Sequence, residues 1–227
     1  QDASRAAELA ALFPEALGDN GLPEGWTEVS LGHLAVQATE SVSPRDYAEE
    51  IFAHFSIPAY DEGKAPKLEK GASILSNKTI VPDGAVLLSK LNPEIERVWL
   101  VPRSSTHRQI CSTEFLVYQP SPSANTSYLY CLFREPSFRE MLKGMATGTS
   151  KSHQRVSPKS LAQRNVTFSG SEIITAFGQI VDDLLRRTLH NREEQRTLAA
   201  IRDLLLPKLI SGEIRLREAQ EIAEAVP

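Results

Sequence analysis

Apolar positions along the chain fall into two regimes. Up to residue 168 they come in short runs bounded by Pro, Gly and Asn. Residues 26–31, 85–88, 98–101 and 115–118 read as strands, and 166–168 as a last one. Residues 127–133 and 137–145 read as two helices, and Ser157-Pro158 opens a short third. Residues 3–12 predict a lead helix stopped near Pro14, and a turn-rich stretch, 18–23, separates it from the body. Strands and helices do not alternate regularly, which argues against a doubly wound parallel sheet and for an α+β fold with a mixed sheet.

Past Gly170 the pattern changes. From Ser171 to Leu206 there is no proline, and Gly178 is the one glycine. Ile173, Phe177, Ile180, Val181, Leu184 and Leu185, then Leu198, Ile201, Leu204 and Leu205, recur at helical spacing with a seam like a coiled coil's. Ser171 is the expected N-cap, Pro207 the expected break or kink, and Gly212 the expected stop. About 36 residues at ~1.5 Å each make roughly 54 Å of helix, more than a domain this size needs to cover its own core. Part of it is therefore expected to pack on something else. Residues 190–197, HNREEQRT, interrupt the seam; either Asn191 or Gln195 sets register against a partner, or the run bridges solvent.

With 41% hydrophobic and 24% charged residues, the chain has the make-up of a soluble globular protein. No secretory leader or membrane span is read, so a cytoplasmic location with Cys111 and Cys131 reduced is expected, and the sequons at Asn77, Asn125 and Asn165 are chance matches. A net charge of −4 argues against a nucleic-acid binder. Its distribution argues the other way. Residues 141–168 hold Lys143, Lys151, Arg155, Lys159 and Arg164 with no Asp or Glu, so that stretch carries +5 and the remainder −9. Phosphate contact requires such segregation; the alternative is a solvated loop that happens to be basic.

No chemistry of catalysis stands out. There is no Walker A run, no glycine-rich cofactor fingerprint, no GxSxG elbow and no Asn-Pro-Pro-aromatic run. Pro82-Asp83 and Glu62-Gly63-Lys64 stand in the wrong order for a Mg²⁺-dependent nuclease. His33, His54, His107, His153 and His190 lack metal-ligand spacing. No cofactor and no metal are expected. Trp26, Trp99, Phe115, Leu116 and Tyr130 are expected in the core.

Several segments together resemble the specificity (S) subunits of type I restriction–modification systems. They are LPEGW (22–26), LGHL (31–34), SIPAYDEG (56–63), SNK (76–78), LLSKLNPEIERVWLV (87–101), CSTEF (111–115) and GTSKSHQRVSPKSL (148–161). Asn191, Glu194, Leu198, Arg202, Asp203, Leu205, Leu206, Pro207, Leu209 and Gly212 are similar to the family's coiled-coil region. AALFPEAL (10–17) resembles the segment that precedes a second recognition domain. The resemblance implies a lead segment (1–21), a target recognition domain (22–169), and a long helix with its tail (170–227). A complete S subunit is similar to two such halves in tandem. The chain is therefore expected to be either one half of a longer protein, which the lead segment favours, or a half subunit that pairs with itself.

The resemblance also implies a non-catalytic role. One recognition domain reads half of a bipartite site on double-stranded DNA, and the helix pairs with a second S half. Methyltransferase (M) subunits dock on the helices, and restriction (R) subunits join through the complex. Lys151, Arg155 and Lys159, then Lys78 and Lys90, are the candidate phosphate contacts. Gln154, His153 and Asn77 are candidates for base edges, and Arg155 is also suited to a guanine. The alternative for 152–156 is a purely structural run before the helix. Phe177, Val181, Leu184, Asn191, Leu198, Ile201 and Leu205 are expected to face a partner helix or the domain itself. A helix-mediated adaptor without DNA contact is the reading from another class.

Overall fold

The computed structural model describes residues 7, 9–103, 105–148 and 154–224, with the backbone alone at 219 and 222–224. Two compact units result, Gln1–Ile180 and Val181–Pro227. The first runs β1 (Thr27–Ser30), α1 (Leu31–Leu34), β2 (Ala35–Ala38), β3 (Ser41–Val42), β4 (Ile51–Phe55), α2 (Ile57–Gly63), β5 (Lys67–Lys70), β6 (Lys78–Ile80) and β7 (Val86–Ser89). It continues β8 (Val98–Leu100), β9 (Arg108–Cys111), β10 (Phe115–Pro120), α3 (Thr126–Arg134), α4 (Pro136–Gly144), α5 (Pro158–Ala162) and β11 (Asn165–Phe168). Helix α6 (Ser171–Ile210) starts here and crosses into the second unit, which also holds α7 (Leu216–Glu224).

The fold is α+β, with mixed strand order. One sheet runs β2-β10-β7-β8, a second β3-β6-β9-β4-β5, and β1 pairs with β11 alone. All pairings are antiparallel except β4 with β9. The apolar runs of β7 and β10 are buried at every position from Val86 to Leu88 and from Phe115 to Tyr118. A sheet covered on both faces loses the alternation of a half-exposed one. One cover is the second sheet: Phe55 and Cys111 meet Leu87, Trp99, Phe115 and Val117 in a single core. Trp99 sits at its centre, edge-on to Phe55, Tyr60 and Phe115 at centroid distances of 4.7, 5.4 and 6.2 Å. On the other face, Tyr118 meets Phe133 of α3, which meets Phe138 of α4. Of the expected core residues, Trp99, Phe115, Leu116 and Tyr130 are buried and Trp26 is half-buried.

Motifs that carried the family resemblance mostly set the fold. In SIPAYDEG, Ser56 caps α2 by accepting from Ala59 N at 3.3 Å, and Tyr60 Oη donates to Val98 O. Asp61 takes Arg97 Nε and Nη2, each at 2.8 Å, and the buried guanidinium holds the Asp61 carboxyl below its ordinary pKa.

The first turns of α6 are locked onto the rest of the first unit. Asn125 caps α3 with Oδ1, accepting from Tyr128 N at 2.8 Å, and its Nδ2 donates to Ile174 O at 2.7 Å. Ile174 is buried, and Phe177 stacks edge-on against Tyr128. Gly178 gives Asn125 its room: a Cβ there would lie 2.5 Å from Asn125 Nδ2.

Two end signals of the helix need correction. Ser171 is the first helical residue rather than the cap; Gly170, at φ +89°, makes the entry turn, and its carbonyl accepts from Ile174 N. Pro207 does not end the helix, which runs on to Ile210. Proline deletes one N–H, while its own carbonyl still accepts from Ser211 N. Gly212, at φ +74°, is the stop that the sequence predicts.

Two predictions follow from the packing and the buried charges. Gly178→Ala should destabilise the protein by about 1–3 kcal/mol in urea unfolding, because overpacking outweighs the helix-propensity gain of ~1 kcal/mol. Gly144→Ala, with nothing within 4 Å of the added methyl, should be neutral or stabilising. His54 gives a pH signature. Its Nδ1 lies 2.6 Å from Glu69 Oε2, and its buried Nε2 has no partner. Burial outweighs Glu69 and lowers the imidazole pKa, so the folded state disfavours the proton that the unfolded chain accepts near 6.5. Stability present at neutral pH is therefore lost as pH falls through 6. The melting temperature should drop more between pH 7 and 5.5 in the wild type than in His54→Gln.

Candidate nucleic-acid interface

The basic segment returns to the body through a short backbone ladder. Arg155 bridges to Thr147 on one side and Leu91 on the other. Thr147 N donates to Arg155 O at 3.0 Å, and Arg155 N to Thr147 O at 2.9 Å. Asn92 N donates to Gln154 O, Val156 N to Lys90 O, and Lys90 N to Glu114 O, each within 3.0 Å. Asn92 takes φ +48°, a conformation asparagine tolerates better than most residues, and its turn carries the chain past Gln154. Val156 and Leu161 are buried, so the segment is anchored on both sides of Ser157, which caps α5 by accepting from Ser160 N. Lys90, Gln154 and Arg155 thereby share one patch of backbone, with Lys159 following on α5.

Side chains divide the candidates further. Arg155 is exposed but not free. Nε reaches Glu114 Oε1 and Oε2 at 3.2 and 3.0 Å, and Nη2 reaches Oε1 at 2.9 Å. The hydrogen bonds to the carboxylate raise the pKa of the guanidinium. Lys143 pairs with Glu140. Lys90, Lys159 and Arg164 have no carboxylate within 4 Å among the described residues. Thus the +5 of the segment is partly cancelled by the fold, through acids that lie outside it in sequence. Asn77 is exposed, directly before β6. Lys78 is turned inward: only 9% exposed, it donates from Nζ to Ser76 Oγ at 2.6 Å, and burial lowers its pKa. Lys151 and His153 lie outside the described residues. Glu114 was missed in the sequence, where it reads as one acid inside CSTEF; only its pairing to Arg155 marks it.

Candidate partner positions on α6 also divide. Phe177 is taken up by Tyr128, and Leu205 is buried within the chain at 8% exposure. Leu184 and Leu198 are 60% and 58% exposed, Asn191 is exposed, and Val181 and Ile201 are half-buried. No group of three or more metal-ligating side chains occurs among the described residues, and no described helix is long and apolar enough to cross a membrane.

Comparison with known proteins bears directly on this arrangement. No family model matches the chain. It is 26% identical, over 92% of its length, to the type I restriction enzyme HindI specificity subunit of Haemophilus influenzae. It is 24% identical, over 88%, to the MjaIX specificity subunit of Methanocaldococcus jannaschii. The resemblance read from the motifs holds: the chain is similar to type I restriction specificity subunits. It spans about half the length of these curated relatives, 48% and 47%. The HsdS subunit from Thermoanaerobacter tengcongensis superposes with a TM-score of 0.58 at 24% identity, covering 84% of this chain and 49% of that one. A type I S subunit from M. genitalium gives 0.51 at 14%, covering 86% and 48%. Both share the fold, an α+β body followed by a long helix.

Proposed function

We propose that this chain is a non-catalytic DNA-reading subunit of a type I restriction–modification complex, contributing one reading unit and one long helix. The observation that carries the proposal is similarity to specificity subunits over nine-tenths of the chain, from a bacterium and an archaeon. The basic segment on its Thr147–Arg155–Leu91 ladder supplies a surface suited to the task. Lys90 and Lys159 hold phosphates and set affinity, and Gln154 and Arg155 read base edges. Asn77 serves as a second, separate contact. Lys78, buried and spent on Ser76, is not among the proposed contacts.

One unit reads one half of a bipartite target, and a second unit, on another S half or a second copy, reads the other. Half-site spacing follows from protein geometry, as in dimeric repressors. Methyltransferase and restriction subunits assemble through the helices. The exposed Leu184, Leu198, Leu204, Leu206 and Ile210 supply apolar surface for such contacts.

Co-purification with a methyltransferase subunit, followed by mapping of methylated genomic positions, tests the assignment. A split motif with an unread gap is expected. Failure to bind any duplex at any salt, even with the methyltransferase present, would leave a helix-mediated adaptor instead. In titrations of duplex DNA, Lys90→Ala and Lys159→Ala should each reduce the slope of log K against log salt by about 0.9. Lys78→Ala should leave that slope unchanged.

A further inference from the structure

We infer that Glu114 is a positioning residue that turns Arg155 from a phosphate contact into a reader of guanine. The inference rests on the DNA-reading function proposed above. A guanidinium carries five N–H donors in one plane. Glu114 takes the edge made by Nε and Nη2. Nη1 and the second Nη2 hydrogen have no acceptor among the described residues, and they form the other edge, the pair of parallel donors that guanine O6 and N7 accept. Arg155 keeps 44% of its side chain exposed, against 24% for Glu114, so the carboxylate lies deeper and the arginine outermost.

Both partners are mounted on fixed backbone. Arg155 exchanges two hydrogen bonds with Thr147, whose hydroxyl also donates to Arg155 O. Glu114 N donates to Ser112 Oγ, and Glu114 O accepts from Lys90 N. The bidentate contact thus fixes the long side chain before DNA arrives, which removes an ordering cost from binding. It also cancels the charge. A neutral pair adds little to counterion release, the source of sequence-independent affinity, yet keeps its directional donors. Lysine offers no planar fork and cannot replace Arg155 here.

The test selects from a duplex pool with a randomised central stretch, using the full chain, and sequences what is retained. Wild type should enrich a guanine at one position that Arg155→Lys and Glu114→Gln each weaken by roughly tenfold or more. The remaining enriched positions should persist, showing that both variants fold. On a duplex lacking the enriched bases, Glu114→Gln should bind more tightly than wild type, because it uncovers the Arg155 charge. If Arg155→Ala instead lowers the salt slope by about 0.9 with every base preference intact, Arg155 holds a phosphate and the inference is overturned. Simultaneous loss of all enriched positions in both variants would make the pair a structural clamp and overturn it equally. A wild type that retains no duplex would remove the DNA-reading function itself, a separate result.

Discussion

A four-residue ladder between Thr27–Ser30 and Asn165–Phe168 closes the first unit, and the start of the long helix depends on it. It joins segments about 140 residues apart in sequence, Thr27 pairing with Phe168 and Ser30 with Asn165. Leu31 N donates to Arg164 O just beyond the ladder, and His33 meets Phe168 edge-on. These contacts fix where β11 ends and hence where Gly170 turns the chain into α6. Leu161 of α5 is fully buried just before the ladder. The basic segment has its own anchor at Arg155, whereas the helix start takes its origin from this closure.

Electrostatics in the unit is organised by arginine forks rather than by net charge. Asp61 binds Arg97, Glu96 receives both Arg134 and Arg139, and Glu114 binds Arg155. The three differ in what surrounds them. Arg97 is buried, and its pair joins α2 to the start of β8, where burial makes loss of either partner expensive. Glu96 ties the same region to α3 and α4 from the surface. The third pair stands at the rim of the basic segment. A fork that is structural when buried becomes a presented donor when exposed, and this contrast gives the Arg155 site its interest.

The sequence was informative where burial was two-sided or periodic. β7, β8 and β10 are apolar runs because both faces are covered, and α6 is legible from its spacing. β2, β3, β4, β5, β6 and β9 have no counterpart among the strands read from the sequence. β5 reads Lys-Leu-Glu-Lys because it is an edge strand, where charge deters further pairing and no apolar face is needed. β9 begins Arg108-Gln109, and Gln109 is tolerated inside only because Asp83 accepts its amide at 2.6 Å. Such compensations cross the sequence and leave no local pattern. The candidate site shows the same limit. Segregated lysines and arginines were visible in composition, whereas the inward turn of Lys78 and the neutralisation of Arg155 are products of tertiary contact. Family-like motifs located the region, yet most of their residues cap, pack or pair.

Asn125 carries the same point into biosynthesis. It stands in an Asn-x-Ser/Thr triplet, Asn125-Thr126-Ser127, yet both atoms of its amide are committed, the oxygen to the Tyr128 amide and the nitrogen to the Ile174 carbonyl. A sugar attached to that nitrogen would sever the tie between α3 and the first turns of α6 and crowd the space that Gly178 leaves. Routing the chain through a eukaryotic secretory pathway would therefore set glycan transfer against folding at this one side chain, so recombinant production belongs in a compartment without that machinery.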